Sequence, residues 1–92
     1  MKTSLNKSEN KGVFSVEENG VEAGTMSFFM DDNGKMAIDH TVVNPDFRGK
    51  GIGKVLVEEG VNYARNHSLK INPICTYAKA LLEKTDAYSD VL

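Results

Sequence analysis

Six residues constrain this chain more than any others: Arg48-Gly49-Lys50-Gly51-Ile52-Gly53, with three glycines, between a stretch that reads as strand and one that reads as helix. Glycines let a backbone turn sharply and pass close to another group. The first turn of a helix leaves its amides without intrahelical acceptors, and the helix dipole adds partial positive charge at that end. The segment is therefore suited to hold an anion, with Arg48, Lys50 and Lys54 as countercharge. The alternative is a solvated basic turn whose glycines only permit close helix–strand packing. Two familiar phosphate loops do not fit. A Rossmann fingerprint begun at Gly49 and Gly51 needs glycine where Lys54 stands, and a Walker A loop needs glycine where Arg48 stands and Ser or Thr in place of Val55.

The flanking pattern supplies the elements. Residues 12–17 carry Val13, Phe14 and Val16 and end at Asn19-Gly20, a turn dipeptide tolerant of positive φ. Residues 21–30 form a second apolar run that closes on Asp31-Asp32-Asn33-Gly34. Residues 35–43 alternate with a two-residue period, placing His40 on one face with Ile38 and Val42, and Asn44-Pro45 ends that strand. From Ile52 the apolar positions 52, 55, 56, 60, 63 and 64 follow helical spacing if Gly60 is a close-packing gap. Residues 69–75 suit a short buried strand with Pro73 near its end, and Thr76 caps a second helix to about Lys84. The order β-β-β-α-β-α predicts an α/β (α+β) fold with a mixed, mainly antiparallel sheet. Residues 1–11 read as a flexible arm, residues 12–92 as one domain, and residues 85–92 as weakly held.

Composition narrows the function. A chain of 92 residues supports one core. A net charge of −2 and a pI of about 5.6 give no broad basic surface, which disfavours nucleic acid. The single cysteine, Cys75, forms no internal disulfide or multi-cysteine zinc site and points to a reducing compartment. No window approaches the roughly 18 apolar residues of a membrane helix, so a cytoplasmic location without membrane contact is expected. His67 reads as a solvated residue at a helix end, and the Asp31 to Gly34 run as a hairpin turn that lacks the distal Glu of a calcium loop.

The spacing of Arg48, Gly51 and Gly53 resembles the signature of the GNAT superfamily of acyl-CoA-dependent N-acyltransferases: Arg or Gln, two residues, Gly, one residue, then Gly or Ala. The strings IDHTVVNPDFRGKGIGKVLV and NPICTYAKALLEK look like a small subfamily of short GNAT-like acetyl-CoA-binding proteins, a likeness that extends over about residues 12–88. The resemblance implies a minimal GNAT fold with acetyl-CoA as cofactor. It places pantetheine along residues 38–43, with Val42 and Val43 as contacts, and pyrophosphate on Arg48, Gly49, Lys50, Gly51, Ile52, Gly53 and Lys54. It also implies transfer of the acetyl group to an amine of a small molecule or a protein. A non-catalytic acetyl-CoA-binding module or sensor is the alternative, because the strands and helices that shape the acceptor pocket of longer members have no room here.

Cys75, a thiol able to accept an acyl group, lies beside the implied cofactor strand, and His40, a base able to lower its pKa, lies on it. Each has a plainer reading, Cys75 as core filler and His40 as a hydrogen-bonded core histidine. In the family pattern a tyrosine on the helix after this strand often protonates the departing thiolate, and Tyr77 is the candidate, with packing as the alternative. A monomer or weak homodimer is expected.

Overall fold

The structure is a computed structural model describing residues 1–92. Its strands are β1 (Lys2–Lys7), β2 (Lys11–Glu18), β3 (Val21–Met30), β4 (Met36–Val43) and β5 (Ile71–Pro73), and its helices are α1 (Ile52–Asn66) and α2 (Thr76–Glu83). Short 3-10 turns cover Pro45–Phe47 and Asp86–Val91. The sheet runs β1-β2-β3-β4-β5 in sequence order, antiparallel except for the β4–β5 pair. None of the helices is long and apolar enough to cross a membrane.

The mixed, mainly antiparallel sheet agrees with expectation, but four strands rather than three precede α1. The supposed flexible arm pairs with β2 from Lys2↔Glu17 to Lys7↔Gly12. Its ladder bonds and a single apolar contact hold it, Leu5 lying opposite Phe14 and against the core. Asn19 and Gly20, at φ 53° and 79°, make the two-residue turn that joins β2 to β3.

Alternation sets the core. Phe14, Val16, Met26, Phe28, Met36 and Ile38 project from one sheet face onto Ile52, Leu56, Val57, Val61 and Ala64 of α1. Gly60 is the expected gap, since a Cβ there would lie 2.7 Å from Met26 Cε. Gly24 is as constrained: a Cβ would come within 2.9 Å of both Ile52 Cγ2 and the Val42 carbonyl oxygen. Gly24→Ala is therefore expected to cost about 1–3 kcal/mol through overpacking, read as a lower urea midpoint at unchanged slope.

The end of the chain departs from expectation. Val91 is buried and belongs to the same core cluster as Ala64 and Leu82. Arg65 donates from Nε and Nη2 to the two Asp90 carboxylate oxygens, each at 2.9 Å, and Lys70 donates to the Asp90 carbonyl at 2.7 Å. A bidentate guanidinium–carboxylate pair over a buried valine holds a segment that shows no helical periodicity of its own.

Candidate cofactor and acyl-transfer site

The sheet comes apart between β4 and β5. Their pairing lasts from Met36↔Ile71 to Ile38↔Pro73. The Ile38 carbonyl then accepts both the Ile74 amide at 3.0 Å and the Cys75 amide at 2.9 Å. Beyond it, the chain after β5 turns into α2 while β4 runs on to Val43. Asn44 donates its amide to the Ala23 carbonyl at 2.8 Å, and residues of an antiparallel ladder face alternately toward and away from the partner. Val42 and His40 thus turn their main chain to β3, while Thr41 and Val43 present amide and carbonyl to the gap. Of the two valines singled out, Val43 lines the gap by its backbone and Val42 does not. Thr41 falls within the expected stretch 38–43 but is not among the residues singled out there, although counting back two from Val43 finds it.

A bulge decides which side chains face the gap. Ser27 pairs with His40 and Phe28 with Ile38, leaving Asp39 as the extra residue in β4. Asp39 accepts from the Ser27 hydroxyl at 2.7 Å. The expectation that His40 shares a face with Ile38 is corrected, because the inserted residue resets the alternation. Ile38 stays in the core while His40 is exposed on the face away from α1. It cannot act as the base for Cys75 from there, and Thr41 is the β4 residue at the sulfur.

Cys75 Sγ lies 3.6 Å from Thr41 Oγ1. The cysteine is half-buried, free and at the N-cap of α2. Burial is the largest single influence on its thiol and raises the pKa. The Ala78 amide, the Thr41 hydroxyl and the Tyr77 and Thr41 amides together outweigh it, leaving the pKa below its ordinary 9.0. The Tyr77 and Ala78 amides at the start of α2 point at the sulfur and favour its thiolate.

The glycine loop sits at the mouth of the gap. The Asn44 side chain accepts from the Asp46 amide at 3.0 Å and donates to the Glu22 carbonyl at 3.2 Å, fixing the exit from β4. Lys50 lies over the Phe47 ring, 5.2 Å from its centre. Gly49 and Gly51 have φ of 79° and 75°, with nothing within 4 Å of where a Cβ would stand, so backbone conformation alone requires glycine and the space beside them is open. Gly51 caps α1 through its carbonyl, which accepts from the Val55 amide at 3.1 Å. The amides of Ile52, Gly53 and Lys54 point out of the helix start, and no acidic residue occupies the first turn. Ile52 is buried and offers only its amide. Arg48, Lys50 and Lys54 are exposed around the loop. These groups fit a pyrophosphate.

Tyr77 closes the arrangement. Its hydroxyl occupies the place a Gly53 Cβ would take, and its Cζ would lie 2.6 Å from that atom. The third glycine thus serves packing under Tyr77, which stands between the cleft and the loop with 45% of its surface exposed.

A mixed sheet split between two strands, with a glycine loop suited to an anion at its mouth, is the fold of the acyl-CoA N-acetyltransferase class. The family model described as GCN5-related N-acetyl-transferase matches residues 13–91, and the chain belongs to this family. A GCN5-like protein from Staphylococcus aureus, known by NMR, is 38% identical, with 96% of this chain and 85% of that one aligned at a TM-score of 0.68. Glucosamine-6-phosphate N-acetyltransferase from Arabidopsis thaliana is 28% identical over 82% of this chain and 58% of that one, at a TM-score of 0.64. An acetyltransferase from Bacillus anthracis in complex with acetyl coenzyme A shares the fold at 18% identity and a TM-score of 0.69, over 84% of this chain and 47% of that one. No curated protein matches the chain.

Proposed function

We propose that this chain binds acetyl-CoA and transfers its acetyl group to an amine by way of Cys75. The observation that carries the reading is the gap between β4 and β5, with the Thr41 and Val43 main chain on one side, the Cys75 sulfur against Thr41, and the glycine loop at its mouth. The free backbone groups of Thr41 and Val43 pair with the amides of the pantetheine arm as a strand would. The loop amides hold the pyrophosphate. The acetyl-CoA complex of the Bacillus anthracis relative supports this ligand for the fold.

The chemistry balances in two steps. The Cys75 thiol loses its proton to solvent, and the thiolate attacks the thioester carbonyl carbon, forming a new C–S bond. The old C–S bond breaks, and the departing coenzyme A thiolate takes a proton from Tyr77, which solvent restores. A neutral amine then attacks acetyl-Cys75, a C–N bond forms, the C–S bond to Cys75 breaks, and the amine proton leaves to solvent. A lone unpaired thiol of this kind suits a reducing compartment.

Intact mass after incubation with acetyl-CoA tests the relay. Wild type should gain about 42 Da, the mass of one acetyl group, on Cys75, and lose it on addition of an amine. Cys75→Ser acetylating an amine at the original rate removes the relay. Stabilisation by acetyl-CoA with neither adduct nor turnover leaves a binding module. The pH dependence has a definite sign. Alkylation of Cys75 should rise with pH through a midpoint below 9.0, and Thr41→Val should move that midpoint upward by removing a hydroxyl that favours the thiolate. Because the folded pKa is the depressed one, the thiol's contribution to stability is present above the unfolded pKa and is lost as pH falls through the folded value.

A further inference from the structure

A cavity of about 300 Å³ opens between the start of α1 and the end of α2, lined by Lys54, Leu81, Lys84, Thr85 and Tyr88. Lys54, in the first turn of α1 directly after the glycine loop, lines it, so the cavity adjoins the loop along α1. The single ion pair of the protein joins Arg65 to Asp90, so neither Lys54 nor Lys84 has a carboxylate partner within 4.0 Å. Glu58, the acidic residue nearest in sequence on α1, is engaged by the Tyr88 hydroxyl at 3.4 Å, which also fixes the Tyr88 ring in the wall. Two unpaired ammonium groups, one aromatic ring and one leucine line a single concavity. This is the chemistry that receives a base on its flat face and a phosphate monoester on its edge. Stacking on an aromatic ring accepts any base, while a phosphate of charge about −1.5 to −2 pairs with lysine as a point charge.

We infer that this cavity holds the nucleotide end of coenzyme A, with Lys84 and Lys54 on the ribose 3′-phosphate and Tyr88 against the adenine. The inference rests on the cofactor reading above and adds a selectivity to it. The 3′-phosphate becomes a recognised group, and Lys84 a specificity residue outside the glycine loop. Lys84 is exposed and makes no side-chain hydrogen bond, so its replacement leaves the fold intact.

Calorimetric titration of wild type, Lys84→Ala and Lys84→Arg with coenzyme A and with 3′-dephospho-coenzyme A tests it. Wild type should bind coenzyme A about tenfold or more tightly than the dephospho form, a preference that falls with added salt. Lys84→Ala should bring the ratio toward one by weakening coenzyme A alone, and Lys84→Arg should retain most of it. Equal affinity of wild type for both ligands, or equal weakening of both by Lys84→Ala, overturns this inference while the cofactor site stands. No binding of either ligand to wild type overturns the cofactor reading and this inference together.

Discussion

The Arg48→Glu, Gly51→Asp double variant is expected to gain nothing in thermal stability from coenzyme A at a concentration that markedly stabilises wild type. At a hundred times the dissociation constant a ligand adds about 2.7 kcal/mol. In a domain of this size each kcal/mol moves the midpoint by about 4–8 °C, so the wild-type shift should be roughly 10–20 °C. Both substitutions strike the loop's means of holding an anion. The change at Arg48 replaces an exposed cation with an anion, and the change at Gly51 sets a carboxylate where the backbone stands at φ 75° and the amides of α1 face outward. Forcing a side chain into that conformation costs about 1–2 kcal/mol by itself. Gly51→Ala separates strain from charge, because it should lower the ligand-free midpoint while keeping part of the ligand response. Unfolding curves with and without coenzyme A decide the matter, and an undiminished response in the double variant would remove the loop from the site.

Phe28→Ala should be the most damaging single truncation, at about 3–5 kcal/mol. Phe28 is 2% exposed and lies between Phe14, with ring centres 5.5 Å apart, and Tyr63, at 5.6 Å. Gly12 lets β2 pass directly over this ring, since a Cβ there would lie 2.6 Å from Phe28 Cε1. The contact joins β2, β3 and α1, so no single element can relax to fill the void. Domains of this length hold on the order of 5–15 kcal/mol in total, and the variant should lose about a fifth or more of it. Urea denaturation monitored by circular dichroism measures the loss, and a change below about 1 kcal/mol would contradict the packing described.

What the sequence disclosed follows from where its signals are local. The loop from Arg48 to Gly53, the α1 stripe with its gap at Gly60 and the Asn19-Gly20 turn are each written in neighbouring residues, and each stands where the residues place it. β1 was invisible because only Leu5 of its six residues is apolar, and its order comes from ladder bonds to β2 rather than from a buried face. The bulge at Asp39 was invisible for a different reason. It depends on how β3 and β4 align, and a one-residue insertion reverses every later side chain, which is why His40 and Thr41 exchanged the faces expected of them. The clamp from Arg65 to Asp90 links positions 25 residues apart and leaves no periodic trace.

A sheet ordinarily has two free margins, and this one has a third inside it. At the outer margins β1 carries exposed Lys2 and Lys7, which discourage another chain from adding on, and β5 is only three residues long. The inner margin, from Thr41 to Val43, is flanked instead by the start of α2 and the loop that feeds α1. A full polypeptide strand needs about 4.8 Å of lateral room and space for side chains above and below. A thin, unbranched chain bearing amides but no side chains at that depth needs less. On the reading proposed above, an unbranched pantetheine arm therefore suits this margin better than a protein segment does.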